Sequence, residues 1–409
     1  MCCDPNSRRA ANRFVTLRQE GLTPRAAQLP IQGLFEPLRV NGLLLPNRLV
    51  MPPMGRHFVQ DGVPSERYID YFRQRAQSGM GLLITEVSAI DHPVAQAHPG
   101  YARMHGADAL SVYARIVESV HAVGGRIIPQ LVHCGTVRER SAGPNTHLSP
   151  LGPSGLYLGF GGVTPEPVAV AAPATPAEID AVIEGFARSA AQAARAGFDG
   201  IEIHGAHGYL IDQFFWKKLN RRSDRFGGDM SGRGYLAVQI VRACRDAVGA
   251  QLPIFFRWSQ WKQQDYAARL CHTPQELARF LEPLAATSID VFDCSTRRVW
   301  EPEFPGSALN AAGWTRRLTG KPTVTVGSVI LDYDPLPSSV GDDSRADAFD
   351  PKARPRSIDH VLGMLERGEC DLVAIGRGSI ANPRCATHLR NEAWDELGRY
   401  TPRLLETLC

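Results

Sequence analysis

From residue 34 onward, short apolar, β-branched runs recur at 49–54, 81–90, 126–132, 200–204, 253–258, 289–294, 322–327 and 371–376. The segments between them (65–78, 109–123, 176–196, 235–248, 273–286, 311–319 and 358–367) space their apolar residues at the period of an amphipathic helix. Thr175 before Pro176, with Glu178 following, is a helix start, and Gly124, Gly197 and Gly368 stand where helices should stop. Strands that alternate with helices are parallel and joined by right-handed crossovers. Buried on both faces, they read as near-continuous apolar runs, as these do.

Eight such units predict an α/β fold of one (β/α)8 TIM barrel. The competing doubly wound sheet needs G-x-G-x-x-G between a strand and a helix, and the nearest approach, 159–162, lies in a Pro/Gly-rich loop with no strand before it. Two long loops follow strands 3 and 7, at 134–173 and 331–356. The expected layout is an N-terminal extension over 1–33, the barrel over 34–395 and a C-terminal tail over 396–409.

Composition narrows the function classes. The 45 Lys+Arg against 42 Asp+Glu leave a net charge of +3, which offers no field for nucleic acid or an anionic membrane. No apolar run is long enough to span a bilayer and none near Met1 resembles a signal-peptide core, so the expected compartment is the cytoplasm. The 9 cysteines include no C-x-x-C pair and read as reduced core thiols; the Cys2–Cys3 pair lacks the polybasic neighbours of a lipid anchor.

In a barrel of this kind the site lies at the C-terminal ends of the strands. The fourth strand ends in Glu202, His204, His207 and Tyr209, with Glu202 and His204 on one face and Ile201 and Ile203 on the other. Two imidazoles and a phenol at one mouth suit a substrate oxygen that gains negative charge, with Tyr209 as a proton source. Structural histidines remain an alternative, as does a metal pair, although H-x-x-H at a strand end has no obvious third ligand and no metal is expected. Gln130 closes strand 3 and Arg257 strand 5, the latter an obligate cation suited to an anionic ring or phosphate. Gly327 and Ser328 end strand 7, and Gly376 and Arg377 strand 8, where backbone N–H groups and a guanidinium can close on a phosphate. A phosphorylated cofactor lying across the mouth is the implied ligand.

These residues carry a resemblance. The run GFDGIEIHGAHGYL at 197–210, NRRSDRFGG at 220–228 and Arg233 resemble the old yellow enzyme family of FMN-dependent ene-reductases. Supporting pieces are LFEPL at 34–38, NRLVMPPM at 47–54, ITE at 84–86, QLVH at 130–133 and VAIGR at 373–377. The resemblance implies that Pro53, Met54 and Gly55 pass beneath the isoalloxazine, that Val87 reaches it through its backbone, and that Gln130 and Arg257 meet its pyrimidine side. It implies that Gly327, Ser328, Gly376 and Arg377 hold the phosphate of non-covalent FMN. His204 and His207 would bind the substrate oxygen, and Tyr209 would protonate Cα after hydride from FMN N5 reaches Cβ. NAD(P)H would be the electron donor and an activated alkene the acceptor, with no nucleic-acid or membrane partner, in a monomer or homo-oligomer.

The chain departs from the family at Gly55, where a Thr or Cys usually meets the flavin O4 region, at Trp258, and at 215–218 (FWKK). Trp261, Trp300, Phe304 and His57 are further pocket candidates, with core or surface packing as the alternative reading of each. Competing functions are an FMN-dependent demethylase or dehydrogenase, a metal-dependent barrel hydrolase on His204 and His207, and a flavin-binding protein without turnover. The end of the chain soon after the eighth strand favours direct reduction by nicotinamide over an attached electron-transfer module.

Overall fold

A computed structural model describes residues 29–139, 144–160, 166–331 and 353–408. The 159–162 glycines, much of the 331–356 loop and nearly all of the 1–33 extension lie wholly or partly outside the described residues. Eight parallel strands close on themselves: β1 (Leu49–Met51), β2 (Leu82–Ala89), β3 (Ile127–Val132), β4 (Ile201–His207), β5 (Ile254–Lys262), β6 (Val291–Ser295), β7 (Thr323–Val326) and β8 (Leu372–Ala374). Each pairs with its sequence neighbour, and β8 pairs with β1 to complete the expected (β/α)8 barrel. The outer ring is α1 (Arg67–Gln77), α2 (Ala107–His121), α3 (Pro176–Arg195), the short α4 (Leu210–Phe215), α5 (Met230–Val248), α6 (Pro274–Ala285), α7 (Ala311–Thr319) and α8 (Arg356–Glu366). Two short helices, α9 (Arg377–Ala381) and α10 (Cys385–Arg390), follow β8.

Local chemistry explains where elements begin and end. Thr175 forms the expected capping box with Glu178 at the start of α3. Helix α5 begins five residues earlier than its periodicity suggests, because the Asp229 side chain accepts the Gly232 N–H at 2.9 Å and carries a glycine-containing first turn. Strand β1 stops at Met51, since Pro52 and Pro53 have no N–H to offer a ladder.

Period-2 alternation sorts side chains to the two faces of the barrel wall. Phe255 points inward with Val50, Leu82, Ile84, Ile128, Val291, Val324 and Leu372, while Ile254 and Phe256 pack outward against the helices. The bottom of the barrel is plugged by an antiparallel hairpin, Leu38–Val40 with Leu43–Leu45, that adds Val40, Leu43 and Leu45 to this inner core. Its Asn41-Gly42 turn puts Asn41 at φ 50° and is tied to the loop before β5 by Asn41 Nδ2 to Ala250 O at 2.8 Å. The loop after β3 contains a 3-10 turn, Gly135–Val137, and a two-stranded ribbon, Leu156–Tyr157 with Val168–Ala169. Among the described residues no helix is long and apolar enough to cross a membrane.

Leu45 is fully buried in the plug. Leu45→Ala is expected to cost about 2–5 kcal/mol in urea unfolding, because the barrel floor cannot collapse to fill the space.

Candidate active site

Strand β4 remains paired with β5 beyond the expected end at 204 because residue 205 is glycine. A Cβ there would lie 2.4 Å from the Phe256 ring. The ladder then slips between Gly205 and His207, and His207 takes φ 64°. Several bonds hold this strained turn. Ser259 Oγ accepts the His207 N–H at 3.1 Å, Asp212 accepts the Gly208 N–H at 2.8 Å, and Gln213 donates to Gly208 O at 2.8 Å. Behind them Lys262 Nζ stands 2.7 Å from Asp212, both side chains fully buried. The turn brings the three expected side chains together: the His204 ring lies 5.1 Å from His207 and 5.1 Å from Tyr209.

Above the apolar floor the inward-facing positions become polar. Gln130 donates to Glu202 at 2.7 Å, and Arg257 lies 3.5 Å from Asp293. Burial and the neighbouring Asp293 push the Glu202 carboxyl well above the ordinary range, and burial raises Asp293 against the pull of Arg257. As ions, Glu202 Oε2 and both Asp293 oxygens accept no hydrogen bond from the described residues. A proton held by Glu202 and given to Asp293 relieves both carboxyls.

Burial, with the Arg257 charge, keeps His204 well below its usual value; burial, then His204, Arg257 and Lys262, do the same for His207. Both imidazoles are therefore neutral donors at pH 7. The phenol of Tyr209 is pushed up to about 12, chiefly by burial.

Beside this trio the mouth opens into a cavity of about 300 Å3. Of the sequence-derived residues, Pro53, Met54, Gly55, His207, Arg257, Gly327, Ser328, Gly376 and Arg377 line it. Gln130, Val87, His204 and Tyr209 do not line it but form the adjoining wall: Gln130 pairs in register with Val87 and with Glu202, and Val87 packs on the Tyr209 cluster. Larger grooves exist, such as one of about 790 Å3 outside the barrel beneath α6, but charged surface side chains line it. At the mouth two buried polar atoms, His204 Nδ1 and Arg257 Nε, have no partner among the described residues and are available to a ligand.

The donor set fits FMN. Pro53, Met54 and Val326 supply apolar wall, Arg257 and Ser295 a polar end, and Arg297 and Arg377 cationic groups for a phosphate. A Cβ on Gly376 would project toward Pro52 and Met54, both cavity residues, so glycine keeps that space open. Among the described residues no group of three or more His, Cys, Asp or Glu is placed to hold a metal ion.

Sequence reasoning passed over several lining residues. Ser295 ends β6 and Thr296 and Arg297 follow it, where the strand-end rule could have found them. Tyr400 and Leu405 come from the segment read as a tail, which is drawn over the mouth by Arg56, whose guanidinium donates to Leu404 O at 2.7 Å and to Thr407 O. Nothing in their local sequence marks them. Trp261 does line the cavity, stacked 4.4 Å from His207, whereas Trp300 and Phe304 belong to the outer core. The His57 ring fills the place of a side chain at Gly55, with Nε2 2.8 Å from where that Cβ would be.

Comparison with known proteins gives a consistent picture. The model of the NADH:flavin oxidoreductase / NADH oxidase family matches residues 33–334. An NADH oxidase from Thermoanaerobacter brockii is 31% identical over 357 residues, covering 86% of this chain and 50% of that protein. An NADPH dehydrogenase from Clostridium acetobutylicum is 29% identical over 356 residues, covering 86% of this chain and 92% of the relative. The chain thus spans half the length of the first and nearly all of the second. The structure of morphinone reductase in complex with tetrahydroNAD superposes with a TM-score of 0.71 at 25% identity, covering 91% of this chain and 94% of that one.

Two stability predictions follow from the buried groups. Lys262→Met strands the Asp212 carboxylate in the interior and is expected to cost about 3–5 kcal/mol, most of it recovered when Asp212→Asn is added. His133, 1% exposed, accepts the Gly135 N–H on Nδ1 and hence donates from Nε2 to His92, and burial holds it neutral well below its usual value. The unfolded chain gains a proton below pH ~6.5 that the native state refuses. The stability of the wild type relative to His133→Gln should therefore be full above that pH and fall by up to about 1.4 kcal/mol per unit beneath it. Urea midpoints of the two proteins at several pH values check this, and the opposing slope of the Glu202–Asp293 pair cancels in the comparison.

Proposed function

Since the chain belongs to the NADH:flavin oxidoreductase / NADH oxidase family, whose cofactor is FMN, we propose that it uses NAD(P)H to reduce the C=C bond of α,β-unsaturated carbonyl compounds. The observation that carries this reading is the grouping of His204 with His207 and Tyr209, its ring centroid 5.1 Å from each of theirs, beside a cavity ending in Arg257. FMN, when bound, supplies the chemistry of accepting and donating a hydride. Pro53, Met54, Gly55 and Val87 would support its ring, Gln130 and Arg257 its pyrimidine side, and Gly327, Ser328, Gly376 and Arg377 its phosphate.

The chain's own residues do the rest. Neutral His204 and His207 present N–H donors to the substrate carbonyl, where negative charge grows as an enolate forms. A preplaced donor of this kind contributes about 10²–10³ in rate. Were either imidazole charged in the ground state, desolvation beside Arg257 would oppose it, which is why neutral donors suit this position. Tyr209 then gives its proton to the enolate carbon. A phenol held near 12 keeps that proton from water and ordinary bases and yields it to a carbanionic carbon. Trp261, stacked on His207, limits the substrate's approach from the β5 side.

Purified protein should be yellow, bleach with NADPH under anaerobic conditions and regain colour on addition of 2-cyclohexenone; a colourless protein that takes up no FMN contradicts the reading. Tyr209→Phe should slow the recovery step by about 10²–10⁴ and leave bleaching nearly unchanged. Equal losses in both steps would make Tyr209 structural.

A further inference from the structure

Tyr209 is not alone in its pocket. The Tyr101 hydroxyl lies 2.8 Å from the Tyr209 hydroxyl, and both side chains are buried among Ala97, Val132, Cys134 and Val137. The other polar partner of Tyr209 is Gln263, whose amide donates at 3.5 Å. We infer that Tyr101 is the hydrogen-bond donor that stabilises the phenolate left on Tyr209 once its proton has gone to the substrate carbon, an inference that rests on the function proposed above.

The argument is one of donors and acceptors. Two neutral phenols can share one hydrogen bond in either direction, but an ionised oxygen can only accept. In the transfer, the Tyr209 O–H bond breaks while a C–H bond forms from the electron pair of the enolate carbon, and the O–H pair remains on oxygen. With that pocket lined by apolar side chains, the new charge meets two donors, Tyr101 at hydrogen-bond distance and the more distant Gln263. The hydroxyl of Tyr101 must then point at Tyr209. Water restores the proton after the product leaves.

The direction of ionisation agrees. Hydrogen bonds from Tyr101 and Gln263 lower Tyr209 against burial, to about 12, whereas burial and the neighbouring Tyr209 push Tyr101 well above its ordinary value. Tyr209 is therefore the member that gives up a proton. Tyr101 is held in place for this role: its N–H donates to His98 O at 3.0 Å, its carbonyl accepts from Gln96, and its ring meets His98 edge-on at 4.5 Å. The titratable groups facing the pair are Cys134 on the β3 loop, His204 on β4, Glu86 on β2, and His57 and His98 on the flanking loops. Tyr101 is thus a positioning residue that acts through Tyr209.

Tyr101→Phe keeps the ring and removes the donor. With FMN bound, the variant should be bleached by NADPH at the wild-type rate, which shows that it is folded, and should be reoxidised by 2-cyclohexenone about tenfold or more slowly. A second readout needs no turnover. With 3,5-difluorotyrosine at position 209, followed by 19F NMR, Tyr101→Phe should raise the midpoint of that phenol by about one pH unit. Wild-type reoxidation in Tyr101→Phe alongside slow reoxidation in Tyr209→Phe overturns the inference and spares the proposed function. An unshifted 209 midpoint also overturns it. Fast reoxidation in Tyr209→Phe removes Tyr209 as the proton source, and the inference with it, while the proposed reduction stands.

Discussion

A closed barrel of parallel strands forces every second residue into an interior that water cannot reach from below, and the rest of this structure follows from how that interior is filled. At the bottom Phe255, Val291, Leu372 and the hairpin residues Val40, Leu43 and Leu45 make an apolar plug. Two residues further along β5 and β6 the inward positions carry Arg257 and Asp293 instead, and Gln130 from β3 and Glu202 from β4 join them. Polar groups at that depth are tolerable only if they satisfy one another or a ligand. Among the described residues His204 Nδ1 and Arg257 Nε have no partner, and the cavity beside them marks this stretch of the wall as the site.

Charge in this layer is balanced sparingly. Arg257 stands 3.5 Å from Asp293, and a proton shared by Asp293 and Glu202 leaves the cluster close to neutral rather than negative. The guanidinium in turn helps to hold His204 and His207 uncharged. Burial has the largest effect on all four groups, and the one cation adds a pull toward ionised carboxyls and neutral imidazoles. The imidazoles can then meet negative charge that develops on a substrate while they themselves stay neutral.

The barrel was legible because its strands open on near-continuous apolar runs and its helices carry explicit ends, such as the Thr175–Glu178 box. The strand mouths were legible as well, because His204, Arg257, Gly327 and Gly376 interrupt apolar runs at the positions where this fold places ligands. What escaped was contributed by contacts distant in sequence. Tyr101 lies in a loop with no periodic signal and meets Tyr209 only through the fold, at a separation of 108 residues. Tyr400 and Leu405 reach the cavity because Arg56, in the loop after β1, captures the carbonyls of Leu404 and Thr407. The extension of β4 to His207 depended on the Gly205 contact with Phe256, which no single strand reveals. His57, 2.8 Å from the missing Gly55 side chain, turns an apparent deletion in the site wall into a substitution by a neighbour.

In the proposed reaction the two hydrogens gained by the product come from two different sources, nicotinamide for one carbon and Tyr209, hence solvent, for the other. The most direct test is the position of deuterium in cyclohexanone formed from 2-cyclohexenone, once with C4-deuterated NADPH in ordinary water and once with ordinary NADPH in heavy water. Label from the nicotinamide is expected at Cβ alone, and label from the solvent at Cα. Solvent label at Cβ, or consumption of NADPH with no saturated product, would contradict the proposed reaction.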